Sequence, residues 1–220
     1  GAIVLTVSED RLDDDGSDFP DISKNYPISG TLEINDYCFV EQDNSTVTLA
    51  GIAAFDGQIS YISRWRLDLI EININPATPI AVTTENATTN LGFTGLAYHW
   101  SSAPDGGEST TISWDALDVE IQRDGEEPES GHLDNFSINM TNAADGSATF
   151  SLSATTTGAG GSLAVSTLTP FVQDADGNLT EGLLQVDGAN NTAVRIAPTG
   201  SGYVLEVLAD TDGDGQFDDY

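Results

Sequence analysis

The sequence predicts an all-β fold: an antiparallel β-sandwich or β-barrel of ten or more short strands with little helix. Apolar residues alternate with polar ones in many short runs, as strands with one buried face require. Segments rich in Gly, Ser, Thr and Asn separate these runs, and such segments form turns. No long stretch keeps apolar residues at the spacing of an amphipathic helix, so almost no helix is expected.

The alternating runs follow one another along the chain from residue 31. Residues 31–40 form the first run, and residues 45–51 follow it across the turn-forming segment EQDN, which predicts a hairpin. Residues 64–75 repeat the pattern, and Pro76 ends it because proline cannot donate a ladder hydrogen bond. Later runs of the same character lie at residues 111–122, 134–140, 148–154, 162–168, 182–186, 192–197 and 203–208.

Several connectors between these runs carry residues that tolerate a positive φ. AADG precedes Ser147, DADG precedes Asn178, and DGANN and TGSG lie near Gly188 and Tyr203. Glycine and asparagine adopt the left-handed region at low cost. These connectors are therefore predicted to be tight turns between neighbouring strands.

The domain organisation follows from a change in composition near residue 30. Residues 1–30 contain a stretch rich in Asp, Gly, Ser and Pro and are predicted to be an acidic N-terminal linker or extension. Residues 31–220 are predicted to form a single all-β domain. Because QRDGEEPESGH at residues 122–132 is the most charged internal connector, two β domains divided near 122–132 are the alternative.

The charge of the chain is strongly negative. It contains 36 Asp and Glu against 6 Lys and Arg, a formal net charge of −30. Nucleic acids and anionic membranes bind clusters of cations, so neither is expected as a partner. Exposed charges are screened beyond about 8 Å at about 0.15 M salt, so saline surroundings would tolerate this surface.

The cysteine content and the start of the chain bear on its compartment. Cys38 stands alone, which excludes an internal disulfide, and its alternating surroundings predict a buried, inert thiol. No apolar stretch approaches the roughly 20 residues of a membrane helix. Gly1 followed by AIVLTV is typical of a processed terminus. We expect a secreted, periplasmic or cell-surface protein of bacterial type. One form of this expectation includes a lipid anchor before processing.

The segment ADTDGDGQFDDY at residues 209–220 carries the spacing of a calcium loop. Its acidic residues fall at positions 1, 3, 5 and 9, with Gly215 at position 6. In such a loop alternate side chains turn inward, so that several carboxylates meet one hard cation, and the glycine permits the sharp turn. The predicted metal ligands are Asp210, Asp212, Asp214, Gln216 through its backbone carbonyl, and Asp218.

This short segment resembles the calcium loops of thrombospondin type 3 repeats, dockerins and EF-hands. The resemblance implies calcium as a cofactor. It departs from the EF-hand because YVLEVL before the loop reads as a strand, and because position 12 falls beyond residue 220. The alternative interpretation is a frayed acidic tail or a spacer.

Signals for catalysis are weak, whereas one aromatic pair suggests ligand binding. No nucleophile elbow, Walker loop, HExxH or CxxC pair occurs, and His99 and His132 lie in different segments. Tyr98 and Trp100 are two residues apart, so on a strand they share a face and would present rings to a sugar. A core role for Trp100 is the alternative.

These observations favour a non-enzymatic extracellular or envelope-associated structural or adhesive β module, calcium-stabilised through its C-terminal loop. A carbohydrate-binding module that uses Tyr98 and Trp100 is the alternative. A glycoside hydrolase-type enzyme with two carboxylates is a weaker one. The expected partner is a glycan or a cell-surface protein.

Overall fold

A computed structural model describes residues 1–9, 24–40, 46–63, 66–158, 161–200 and 204–219. Over these ranges the chain forms fifteen strands and a single three-residue 3-10 turn, with no α-helix. All pairings described are antiparallel. The prediction of an all-β antiparallel fold with ten or more strands and little helix is confirmed.

The strands are β1 Ala2–Glu9, β2 Asn25–Val40, β3 Thr46–Ser63, β4 Arg66–Pro76, β5 Ile80–Thr83, β6 Ala87–Thr94, β7 Leu96–Ser102, β8 Glu108–Arg123, β9 Glu129–Asn142, β10 Ala148–Gly158, β11 Gly161–Gln173, β12 Leu179–Asp187, β13 Ala193–Pro198, β14 Leu205–Asp210 and β15 Asp218–Asp219. The 3-10 turn is Ala189–Asn191. In the described part of the chain, no helix has the length and apolar character needed to cross a membrane.

The chain divides into two compact units. The first unit comprises Gly1–His99 and Trp114–His132, and the second comprises Trp100–Ser113 and Leu133–Tyr220. The boundaries fall inside β7, β8 and β9, so each of these strands contributes one end to each unit. One boundary, after His132, lies at the end of the connector at which a division was the predicted alternative.

The predicted N-terminal linker, residues 1–30, contains one strand and the start of another. β1 pairs with β2 along its whole length. Ile3, Leu5 and Val7 on β1 are all exposed. The strand therefore lacks the alternation of buried apolar and exposed polar residues on which the prediction of strands depended. Residues 10–23 of the predicted linker lie outside the described residues.

In the first unit, β1 to β4 share one apolar face. Leu5 lies opposite Leu32, Leu32 opposite Ala53, and Phe55 opposite Ile74. These side chains line an apolar concavity of about 320 Å³. Because successive strand residues point to opposite faces, the polar residues between them belong to the other side of the sheet, where the candidate binding cleft lies.

A β-bulge reverses the sides of β2. Its pairing with β3 slips by one residue between Ile34 and Tyr37, where Asp36 has a φ of 48°. An extra residue on one strand sends every following side chain to the opposite face. Cys38 is exposed together with Tyr37, Phe39 and Val40, so the prediction of a buried thiol is wrong, because this end of β2 is uncovered on both faces.

In the second unit, β10 to β15 form consecutive antiparallel hairpins. The turns at residues 103–107, 143–147 and 174–178 share one geometry: the first residue's N–H donates to the last residue's carbonyl, and the glycine N–H donates to the first residue's carbonyl. That glycine has φ between 88° and 94° in all three. The turns predicted from AADG and DADG are therefore confirmed.

An aromatic pair packs within the second unit. The rings of Phe150 and Phe171 stack with their centroids 4.9 Å apart, and Phe171 is buried. A Cβ on Gly182, which has a φ of 146°, would lie 2.3 Å from the Phe171 ring. Glycine is required there because the ring occupies the space of a side chain.

Candidate functional site

The predicted calcium loop connects the last two strands. β14 ends at Asp210, and β15 returns to pair with Leu208 and Ala209. The strand before the loop agrees with the prediction made from YVLEVL, although Tyr203 lies outside the described residues. Asp210 is only 4% exposed, so the first acid of the loop is held at a buried strand end.

Three acids of the loop converge. One carboxylate oxygen from each of Asp210, Asp212 and Asp214 lies within 4.8 Å of the other two. Two oxygens that bind the same Ca²⁺ at about 2.4 Å cannot be more than about 4.8 Å apart. The spacing of these three carboxylates therefore fits a calcium ion, and it brings three neighbouring negative charges together that a cation would neutralise.

Asp210 organises the loop backbone. Its Oδ1 accepts the N–H of Gly213 at 2.8 Å, and its Oδ2 accepts the N–H of Gly215 at 2.9 Å. Burial raises the pKa of Asp210, but these N–H donors favour the ionised form and leave the pKa below its ordinary value of 3.8. Because each carboxylate oxygen has two lone pairs, both oxygens keep acceptor capacity for a cation.

The two exposed acids are oriented by the same kind of local contact. Asp212 Oδ1 accepts the N–H of Asp214 at 3.2 Å, and Asp214 Oδ1 accepts the N–H of Gln216 at 2.8 Å. The Gln216 side-chain amide donates to Asp214 Oδ2 at 2.9 Å, which leaves its backbone carbonyl as the predicted ligand. Asp218 lies on β15 and is not among the carboxylates that meet within 4.8 Å.

The loop rests on neighbouring elements of the second unit. A Cβ on Gly213 would lie 2.4 Å from the backbone oxygen of Asn190, so the loop packs tightly on the 3-10 turn. The Arg195 guanidinium on β13 lies 4.0 Å from the centre of the Phe217 ring, a distance at which a cation is attracted to the ring. These contacts fix both ends of the acidic segment.

A second candidate site, absent from the sequence prediction, is a cleft of about 670 Å³ in the first unit. We call it the polar cleft. Residues from β1 to β4 and β7 line it, and most of them are polar. The residues that define it here are Asp56, Gln58, Glu71, Asn73, Tyr98 and His99.

Strand pairing sets the side-chain pairs of the polar cleft. Asp56 lies opposite Asn73, whose amide donates to Asp56 Oδ2 at 3.2 Å. Gln58 lies opposite Glu71 and donates to Glu71 Oε2. His99 Nδ1 lies 3.3 Å from Glu71 Oε1, and both side chains are about two-fifths exposed. Both carboxylates therefore have a side-chain amide partner, and Glu71 also contacts the His99 ring.

The predicted ligand-binding pair divides between the units. Tyr98 lines the polar cleft and is half-buried. Trp100 is also half-buried but belongs to the second unit. Of the histidines, His99 joins the cleft, whereas His132 contacts Asp118 at 2.6 Å.

A sequence signal for the cleft exists. β3 reads AAFDGQIS and β4 reads LIEININ, so each alternates hydrogen-bonding residues with apolar residues or glycine, and Asp56 and Gln58 on β3 and Glu71 and Asn73 on β4 are each two apart. Such a pair lies on one face of a strand. The pattern does not say which strands pair. The pairing of β3 with β4 brings the four residues into one site.

The chain is without detected relatives. No family model matches it, and no curated protein or solved structure is similar to it at a significant level. Functional conclusions therefore depend on the geometry of the two candidate sites.

Proposed function

We propose that the chain is a non-enzymatic extracellular or envelope-associated structural or adhesive β module that calcium stabilises. The observation that carries the proposal is the convergence of Asp210, Asp212 and Asp214 carboxylate oxygens within 4.8 Å. Oxygen-rich, multiply charged sites of this kind suit hard divalent cations. Extracellular calcium is abundant enough for a weak site to be filled.

Calcium would act on the module by joining the end of β14 to the loop that leads into β15. Asp210 ends a strand, whereas Asp212 and Asp214 belong to the loop. An ion bound to all three stabilises only the folded arrangement, so it raises the free energy of unfolding by mass action. At a dissociation constant of about 0.1 mM, about 10 mM calcium would add about 2.7 kcal/mol.

Thermal unfolding of the full chain in about 10 mM calcium and in EGTA tests this proposal. The wild type should melt roughly 5–10 °C higher with calcium. Asp212→Ala should lose that difference, because it removes one of the three converging carboxylates. Equal melting temperatures of the wild type in the two buffers would reject the calcium site.

A matched control is available on another turn. Asp145 Oδ1 accepts the N–H of Ser147 at 2.9 Å, as Asp212 Oδ1 accepts the N–H of Asp214. Asp145→Ala therefore removes one exposed acid and its hydrogen bonds with the N–H and the hydroxyl of Ser147, without touching the loop. Asp145→Ala should keep the full calcium-dependent difference in melting temperature.

The compartment and the partner belong to the same proposal. The net charge of −30 supports a secreted, periplasmic or bacterial cell-surface location. One form of this proposal includes a lipid anchor before processing. An adhesive role implies a glycan or a cell-surface protein as partner. Fractionation of the source cells should find the chain in the envelope or medium; recovery in the cytoplasm would contradict this location.

A further inference from the structure

We infer that the polar cleft of the first unit binds a neutral polyhydroxylated ligand, an oligosaccharide or an exposed glycan chain. This site goes beyond the proposed calcium-stabilised module and does not depend on calcium. The inference rests on the paired hydrogen-bonding groups of the cleft, on the charge of its lining and on the place of Tyr98 beside them.

The paired side chains offer donors and acceptors in fixed positions. In the pair of Asn73 with Asp56, the amide uses one N–H and the carboxylate one oxygen. The amide retains its carbonyl oxygen and a second N–H, and the carboxylate retains its other oxygen. A sugar hydroxyl donates and accepts at once, so such a pair can bind it without rearrangement.

The second pair repeats this arrangement at a useful distance. Gln58 and Glu71 lie two residues along β3 and β4 from Asp56 and Asn73, which is about 7 Å along the strands. The hydroxyls of one sugar ring, or of two adjoining rings, span a similar length. Because His99 also contacts Glu71, this carboxylate is held by two partners before any ligand arrives.

The charge of the cleft selects among ligand classes. Among the described residues, its lining contains Asp56 and Glu71 but no Lys or Arg. Phosphorylated or carboxylated ligands would be repelled, because two negative charges would face theirs with no Lys or Arg of this described lining beside them. Neutral polyols remain favourable, since their hydroxyls donate to carboxylates and need no counter-charge.

The cleft also has surface for the apolar side of a sugar. Tyr98 lines it, and a tyrosine ring combines an apolar face with a polar hydroxyl. A volume of about 670 Å³ falls within the range of about 300–1,000 Å³ that is usual for small-molecule sites.

Calorimetric titration of the full chain with defined probes tests the inference. The probes are neutral hexasaccharides of β-1,4-glucose, α-1,4-glucose, β-1,4-mannose and β-1,4-xylose, and a pull-down uses the matching insoluble polysaccharides. At least one probe should bind. Binding of a hexasaccharide identifies a free oligosaccharide as sufficient, and binding of only the insoluble form identifies a polymer surface; both support the inference. Spermidine is titrated in the same way as a cationic probe. If spermidine binds and no sugar does, or if no probe binds, the inference is overturned.

Substitutions locate the binding. Asn73→Leu and Gln58→Leu should each weaken it about tenfold, because each removes hydrogen bonds to the ligand. Asn90→Leu is the matched control: Asn90 donates to Glu120 Oε2 at 3.2 Å, the same kind of pair outside the cleft. The affinity of Asn90→Leu for the sugar should stay within about twofold of the wild type. If a leucine variant does not fold, Asn73→Ser takes its place.

Cleft variants that bind the sugar as tightly as the wild type would overturn the inference.

Discussion

The acidic loop and the polar cleft both contain carboxylates, but they hold them in opposite ways. In the loop, Asp210, Asp212 and Asp214 face one another and accept backbone N–H groups and the Gln216 amide. In the cleft, Asp56 and Glu71 are each paired with a neutral side chain. A cluster of carboxylates that repel one another attracts a cation. A carboxylate that is already paired with a neutral side chain is instead suited to form a hydrogen bond with a neutral ligand.

The largest expected contrast between the two regions comes from acidification. The pKa of Asp210 is lowered in the folded chain, so its carboxylate contributes stability above its ordinary value of 3.8 and loses it as the pH falls through the folded pKa, below 3.8. Protons compete with calcium for the same oxygens in that window. Acidification from about pH 7 through the folded pKa of Asp210 should therefore reduce the calcium-dependent gain, which is about 2.7 kcal/mol in about 10 mM calcium.

Urea unfolding with calcium and with EGTA at each pH measures this effect. A calcium-dependent gain that stays unchanged as the pH is lowered until the chain unfolds would show that the ion is bound by groups other than these carboxylates.

A smaller effect is expected from the two glycines of the loop. Gly213 has a φ of 79°, and a Cβ there would lie 2.4 Å from the Asn190 oxygen. Gly215 has a φ of 85° but open space around it. In EGTA, Gly213→Ala should cost roughly 2–3 kcal/mol of unfolding free energy, and Gly215→Ala about 1 kcal/mol.

Denaturant unfolding of both alanine variants checks this order. The two share the cost of a positive φ, so their difference reports the contact with the 3-10 turn. Equal losses would mean that the loop does not rest on Asn190.

The smallest expected effect belongs to the cleft. Gln58→Leu removes one side-chain hydrogen bond to Glu71, whose side chain is 42% exposed, and should cost about 0.5–1.5 kcal/mol. The loss should be the same in calcium and in EGTA, because these carboxylates do not hold the ion. A calcium-dependent loss, measured by the same denaturant titration, would place cation binding in the cleft instead.

The two regions also differ in how far the sequence predicts them. The loop acids lie within a few residues of one another, so local spacing was sufficient to name Asp210, Asp212 and Asp214. The cleft joins residues 13, 17 and 28 positions apart, and only strand pairing brings them together. Tyr98 was predicted as a ligand-binding residue together with Trp100, whereas the residues that line the cleft with it include Asp56 and Glu71.

The same distinction applies to the fold. Alternation of polar and apolar residues predicted strands at β2 to β4 and at β8 to β14. It missed β5, β6 and β7, and it missed β1, whose residues Ile3, Leu5 and Val7 are exposed. It also predicted a buried Cys38, which is exposed together with its neighbours. Local pattern identifies a strand, but register is a property of two strands.

The central claim, that the acidic loop holds a cation and the polar cleft does not, is tested most directly by calorimetric titration of calcium into the chain. The account predicts one ion per wild-type chain, no binding to Asp214→Asn, and unchanged binding to Asp56→Asn. Absence of binding heat in the wild type, or one ion that survives Asp214→Asn and is lost with Asp56→Asn, would contradict it.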